Sequence, residues 1–141
     1  TRKHNSYQIM LYNYKHFNYL YANGERVDMT ETDRYTVFAD SDPVTIELCL
    51  SNIPQGTYKI SETYVNRTHG SSYDQWVSMG GLELTTPYEF DLLKKASSPG
   101  FHQKLMHIAS DETLRLNAEL ELLEIRLIQI TPVICPSDVS R

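Results

Sequence analysis

The chain has 141 residues, 40% of them hydrophobic and 11% aromatic, and a formal net charge of −5. That length suits one domain able to bury roughly 68% of its unfolded surface, and the apolar content excludes a disordered chain. The acidic balance argues against nucleic-acid binding, which needs a basic face to neutralise phosphates, and no run of 18 apolar residues is present to form a membrane-spanning helix.

Tyr7 to Tyr14 reads YQIMLYNY, β-rich and largely apolar, and predicts a buried strand. Lys15 to Asp33 mixes polar and aromatic residues around an Asn23-Gly24 turn signal and predicts a long loop, an element that is often functional in compact domains. A short strand is expected at Arg34 to Phe38, before a break at Asp42-Pro43. Val44 to Leu50 alternates, with Val44, Ile46, Leu48 and Leu50 on one face and Thr45, Glu47 and Cys49 on the other. A period of two is the mark of a half-buried strand. After the Pro54-Gln55-Gly56 turn, Thr57 to Val65 is the next strand, with Tyr58 and Ile60 inward and Lys59 and Ser61 outward. The spacing suits either a hairpin or a crossing between sheets.

The pattern then changes. Thr86 is a good N-cap, Pro87 fits the first helical position and Glu89 can close a capping box, so one helix is expected over about residues 87–97. Phe90, Leu93 and Ala96 share its apolar face, and Ser97-Ser98-Pro99-Gly100 stops it. Strands resume at Phe101 to Ile108, Thr113 to Leu120 and Leu123 to Ile130. The last is apolar on both faces, which predicts a central position. Residues 1–131 therefore read as one domain and 132–141 as a flexible tail. Many short strands with one helix predict an all-β, antiparallel β-sandwich.

The residues that carry chemistry are sparse. His4, His16, His69, His102 and His107 lack metal-ligand spacing, and His102 and His107, five apart on a strand, point to opposite faces. Glu119, Glu121 and Glu124 near a hairpin, with Glu47 and Glu62 on strands, read as a solvated acidic face rather than a catalytic pair. Cys49 and Cys135 lie far apart in sequence and form no ligand pair, which fits a reducing compartment. No metal and no cofactor are expected.

The segment from His69 to Ser97 reads HGSSYDQWVSMGGLELTTPYEFDLLKKAS and holds the single Trp, Trp76, in the run Tyr73-x-x-Trp76-x-x-Met79-Gly80. This resembles the C-terminal part of glycoside hydrolase family 39 proteins, the β-xylosidases and α-L-iduronidases. They carry Asn-Ala-Tyr-x-x-Trp-x-x-Met-Gly-x-Pro followed by a Thr-Pro-x-x-x-x-x-Leu helix. The specific part of the resemblance is Gly70 to Leu93; Leu82 stands where the family has its Pro, so the rigid turn is missing.

The resemblance implies an immunoglobulin-like sandwich packed beside a (β/α)8 barrel that holds the catalytic carboxylates. Such a barrel needs roughly 200 residues, so it is expected upstream in the same polypeptide, in a cytoplasmic bacterial protein. No residue here matches the family's acid or nucleophile. The expected role is thus a non-catalytic C-terminal domain of a xylan β-xylosidase-like hydrolase. Tyr73, Trp76, Met79 and Gly80 are read as structural, with packing preferred to sugar stacking. Tyr14, His16, Phe17, Asn18 and Tyr19 crowd one segment and are read as an interdomain interface or the rim of a sugar site, with docking on the barrel preferred. The same domain in a cytoplasmic AraC-type sugar-responsive transcription regulator, where similar Tyr-Asn-Tyr-x-His-aromatic-Asn runs occur, is an alternative, as is a free-standing carbohydrate-binding module. The expected partner is the upstream barrel. An oligosaccharide at the domain interface and a homo-oligomer stay open, and neither nucleic acid nor membrane is expected.

Overall fold

The computed structural model describes residues 2–3, 5–25, 34–110 and 112–133. Seven strands form antiparallel ladders: β1 (Arg2–Lys3), β2 (Ser6–Tyr12), β3 (Val44–Leu50), β4 (Gly56–Val65), β5 (Gly100–Ile108), β6 (Leu114–Leu120) and β7 (Ile125–Pro132). They make a five-stranded sheet in the order β1-β2-β7-β4-β5 and a two-stranded sheet, β3-β6. The fold is the expected all-β antiparallel sandwich, and β7 lies at the centre of the larger sheet.

Strict alternation explains why the two layers close on each other. In β6 every second residue is buried, Leu114, Leu116, Ala118 and Leu120. Leu114 and Leu116 pack with Tyr58 and Ile60 of β4 and Ile128 and Ile130 of β7, and Ile9 and Leu11 of β2 and Leu48 and Leu50 of β3 close the core's margins. Each such aliphatic side chain contributes roughly 1.5–3 kcal/mol when fully buried. Consecutive strands β3 and β4 belong to different sheets, so their connection crosses between layers. Ile53 is buried within that connection, and the Tyr58 hydroxyl donates to the Pro54 carbonyl at 2.8 Å.

Several local expectations are corrected. β2 is half-buried rather than buried: Gln8, Met10 and Tyr12 face outward because the second sheet covers only one side of it. Arg34 to Val37 is a 3-10 turn, not a strand, and Phe38 makes only an isolated bridge to Phe17. The turn buries Val37 and turns Tyr35 toward a polar cluster, described below. Helix formation is wider than the one helix expected: α1 (Tyr19–Ala22) and α2 (Tyr73–Ser78) precede α3 (Pro87–Ala96). These first two have four and six residues, too few for an apolar period to register.

In α3 the capping box forms as expected. The Thr86 hydroxyl accepts from the Glu89 amide at 3.3 Å, and the Glu89 carboxylate accepts from the amides of Thr85 and Thr86, both at 2.8 Å. Those amide bonds, Thr85's first, hold the Glu89 carboxyl below its usual range. The predicted apolar face is not core, however: no α3 residue is buried and Phe90 is exposed. Pro132 belongs to β7, and the Val133 amide donates to the Thr57 carbonyl at 2.8 Å, so the ordered ladder runs past residue 131. The rest of the expected tail, including Cys135, and residues 26–33 of the expected loop lie outside the described residues.

Candidate interdomain site

The loop after β2 starts from a buried asparagine. The Asn13 side-chain amide donates to the carbonyls of Glu121 at 3.0 Å, Leu120 at 3.2 Å and Asp42 at 3.3 Å. Its backbone amide donates to the Glu124 carbonyl at 2.9 Å, and its carbonyl accepts from the Leu123 amide at 3.0 Å. One residue thus ends β2 and fixes the root of the loop on the β6–β7 turn. Leu123 in that turn has φ +58°, a left-handed conformation that costs a non-glycine residue roughly 1–2 kcal/mol.

From there the chain runs back along the 3-10 turn. The Asn18 amide donates to the Val37 carbonyl at 2.8 Å and the Ala39 amide donates to the His16 carbonyl at 2.9 Å. The Phe17 and Phe38 rings stack at 5.4 Å, with Tyr21 tilted against Phe17 at 5.0 Å. Asn18 caps α1: its Oδ1 accepts from the Tyr21 amide at 2.8 Å, while its Nδ2 donates to the Thr36 carbonyl at 3.0 Å. Lys15 pairs with Asp40, and that bond, with a second from the Asp42 amide, holds the Asp40 carboxyl below its usual range. The residues named from sequence therefore divide. Asn18 holds the loop together, and Phe17 is half-shared with the Phe38 stack. Tyr14, set edge-on to His16 at 5.1 Å, and Tyr19, 79% exposed, face outward.

A second wall comes from α2. Asp74 in its first turn receives Arg67 in a two-pronged pair, Nε to Oδ2 at 3.1 Å and Nη2 to Oδ1 at 3.3 Å. The Tyr35 hydroxyl donates to the same carboxylate at 3.2 Å, and the Arg67 guanidinium lies 3.8 Å from the Tyr35 ring centroid. Burial, then the Asp74 charge, raises the Tyr35 phenol above its ordinary value. This node ties α2 to the 3-10 turn. Between them opens a cleft of about 340 Å³ lined by Tyr21, Tyr35, Phe38, Tyr73, Arg34 and Leu123 among others, with Arg34 4.8 Å over the Tyr73 ring.

Trp76 sits on α2, its indole N–H donating to the Leu82 carbonyl at 2.9 Å and its ring 3.6 Å from where a Cβ on Gly81 would stand. Gly80 and Gly81, at φ +100° and +65°, end the helix and leave room for that ring. Trp76 is only half-buried, and α2 contributes nothing to the core.

The residues that sequence reasoning missed underlie both walls. Glu124, read as part of a solvated acidic face, is 1% exposed. Its Oε1 accepts from Arg126 Nε at 2.8 Å, and its Oε2 accepts from the Glu121 amide at 3.2 Å and from Asn66 Nδ2 at 3.4 Å. Arg126 also reaches Glu62 at 3.2 Å and the Glu119 carbonyl at 3.0 Å. Asn66 then accepts at Oδ1 from the amides of Thr68 and His69, which shapes the turn leading to α2. A signal was present: Glu124-x-Arg126 is embedded between Leu122, Leu123, Ile125 and Leu127, and charges inside an apolar run need a partner. Among the described residues no cluster of three or more His, Cys, Asp or Glu is placed to hold a metal.

No family profile matches the chain, and no curated protein matches it. Solved structures do. A GH39 enzyme from Xanthomonas axonopodis pv. citri superposes with a TM-score of 0.68 at 11% identity, over 94% of this chain and 25% of its own. A monomeric β-xylosidase from Caulobacter crescentus CB15 gives 0.66 at 16% identity, with the same shares. The bacterial orthologue of human α-L-iduronidase gives 0.55 at 14% identity, over 68% of this chain and 18% of its own. The fold is thus one that occurs within glycoside hydrolases, and the chain spans about a quarter of the length of the first two.

Proposed function

We propose that this chain is a non-catalytic C-terminal β-sandwich domain of a family 39, β-xylosidase-like glycoside hydrolase. In this reading it supports a sugar-processing barrel carried upstream in the same polypeptide. The observation that carries the reading is the loop rooted at Asn13, whose Tyr14, His16 and Tyr19 face outward while Asn18 and the Phe17–Phe38 stack hold its shape. A pinned loop with outward aromatics suits a preformed docking surface better than a free one, since little ordering entropy remains to be lost on contact. The quarter-length match to glycoside hydrolases supports a parent of that kind. The carboxylates support a non-catalytic role. Glu62 and Glu124 are both engaged by Arg126, so neither is an unencumbered carboxylate turned toward an open cleft.

The test is activity of the isolated chain on aryl β-xylosides. No turnover above background is expected. Turnover that survives purification and disappears on a single Glu→Gln change in this chain would overturn the proposal.

A further inference from the structure

The aromatic loop leaves one large surface unexplained, the outward face of the five-stranded sheet. The register lines up Met10, Leu127, Thr63 and Phe101 in one cross-strand row and Tyr12, Ile125 and Val65 in the next. Met10, Tyr12 and Phe101 are 66%, 68% and 63% exposed, and Leu105, further along β5, is 65% exposed. The row on the other side, Gln8, Gln129, Ser61 and Gln103, is polar but uncharged. From β2 across to β5, Lys59 is the one Asp, Glu, Lys or Arg on this face.

The other sheet supplies an internal comparison. Its outward face carries Glu47, Arg115 and Glu119 among its six residues, with Arg115 and Glu47 paired at 3.0 Å. That is how this chain builds a face for water. The large sheet's outward face has instead the composition of an interface centre, depleted in charge and rich in aromatic residues and Met. Its exposed apolar area is on the order of 600 Å², at the upper end for a free monomer and approaching the roughly 800 Å² per partner of a standard interface.

We propose that a second copy of this chain covers this face, the two five-stranded sheets packing face to face about a two-fold axis. A two-fold contact sets the same patch against itself, so it requires a surface that tolerates its own charge. Each chain carries a net charge of −5, yet the described strand residues of this face include no carboxylate, so the paired strands of two copies meeting here bring no acid against acid. Sheets stacked about 10 Å apart would interdigitate the Met10 and Tyr12 rows of one copy with those of the other. The contact is separate from the Tyr14–Tyr19 loop and does not rest on the docking role proposed for it.

Sedimentation of the isolated chain from micromolar to several hundred micromolar should show a concentration-dependent monomer–dimer equilibrium. Phe101→Lys and Met10→Lys, both at exposed positions, should each weaken it at least about tenfold, while Tyr19→Ser leaves it unchanged. A measurement without substitution is the rate of Met10 oxidation by dilute peroxide, referenced to Met79, which should slow several-fold as the dimer fills. A chain that stays monomeric throughout, a dimer indifferent to both lysines, a dimer lost with Tyr19→Ser, or a Met10 oxidation rate independent of concentration overturns the proposal.

Discussion

Removing Arg126 tests whether the buried ion network anchors both walls of the candidate site. Its side chain is 16% exposed and is shared between Glu124, at 1%, and Glu62, at 13%. Arg126→Leu would leave both carboxylates desolvated without their cation. Losing one partner of a buried pair typically costs about 3–5 kcal/mol, which for a domain of this length corresponds to roughly 10–15 °C in Tm. Glu124→Leu combined with Arg126→Leu should recover part of that loss, because only Glu62 then lacks its cation. The Glu121 amide and the Asn66 side-chain amide would lose their acceptor, at about 1 kcal/mol each. Urea denaturation followed by circular dichroism of the parent, Arg126→Leu, Glu124→Leu and the double variant gives the four values from which the double-mutant cycle isolates the coupling. A single Arg126→Leu variant within about 1 kcal/mol of the parent would mean that the network behaves as a solvent-screened surface pair, and the reasoning would fail.

Trp76→Ala should cost about 1–2 kcal/mol, well below the roughly 3–5 kcal/mol of a core Trp, because α2 is peripheral; Ile60→Ala in the core should cost more, and equal melts for the two would contradict this. Gly100→Ala should destabilise by about 1–3 kcal/mol, since its Cβ would stand 2.3 Å from the Tyr64 ring; an unchanged urea midpoint would show that the ring moves aside freely. Asp40 and Glu89 have folded-state pKa values below their ordinary ones, so their contribution is present above the carboxylate range near pH 4 and is lost as pH falls through the depressed values. Asp40→Asn with Glu89→Gln should therefore flatten the acid side of a Tm-versus-pH curve, and a curve of unaltered slope would count against both pairings.

How much of this was legible follows from period and local chemistry. β3 and β6 alternate without interruption because one face meets the core and the other meets water. The capping box of α3 is written in Thr86, Pro87 and Glu89. β7 reads as central because both its faces carry apolar residues. What was not legible depends on contacts distant in sequence. Arg34 to Phe38 has strand-forming residues, yet it turns so that Tyr35 can reach Asp74, 39 positions on. The apolar spacing of Phe90 and Leu93 gave no warning that α3 lies outside the core. Glu124 looked like its acidic neighbours Glu119 and Glu121, and only the fold brings Arg126, Asn66 and the Glu121 amide around it. In the candidate site, the crowding of aromatics at Tyr14 to Tyr19 was visible. That Asn13 roots the loop, and that Asn18 caps α1 rather than facing outward, emerges only from the fold.

The central claim is that the loop is a docking surface for a barrel in the same polypeptide. Hydroxyl-radical footprinting of Tyr14, His16 and Tyr19, compared between the isolated chain and the full parent polypeptide, tests it most directly. The account predicts strong labelling of all three in the isolated chain and marked protection in the parent, with exposed Leu82 as an unprotected reference. Equal labelling of Tyr14, His16 and Tyr19 in the two forms would contradict it.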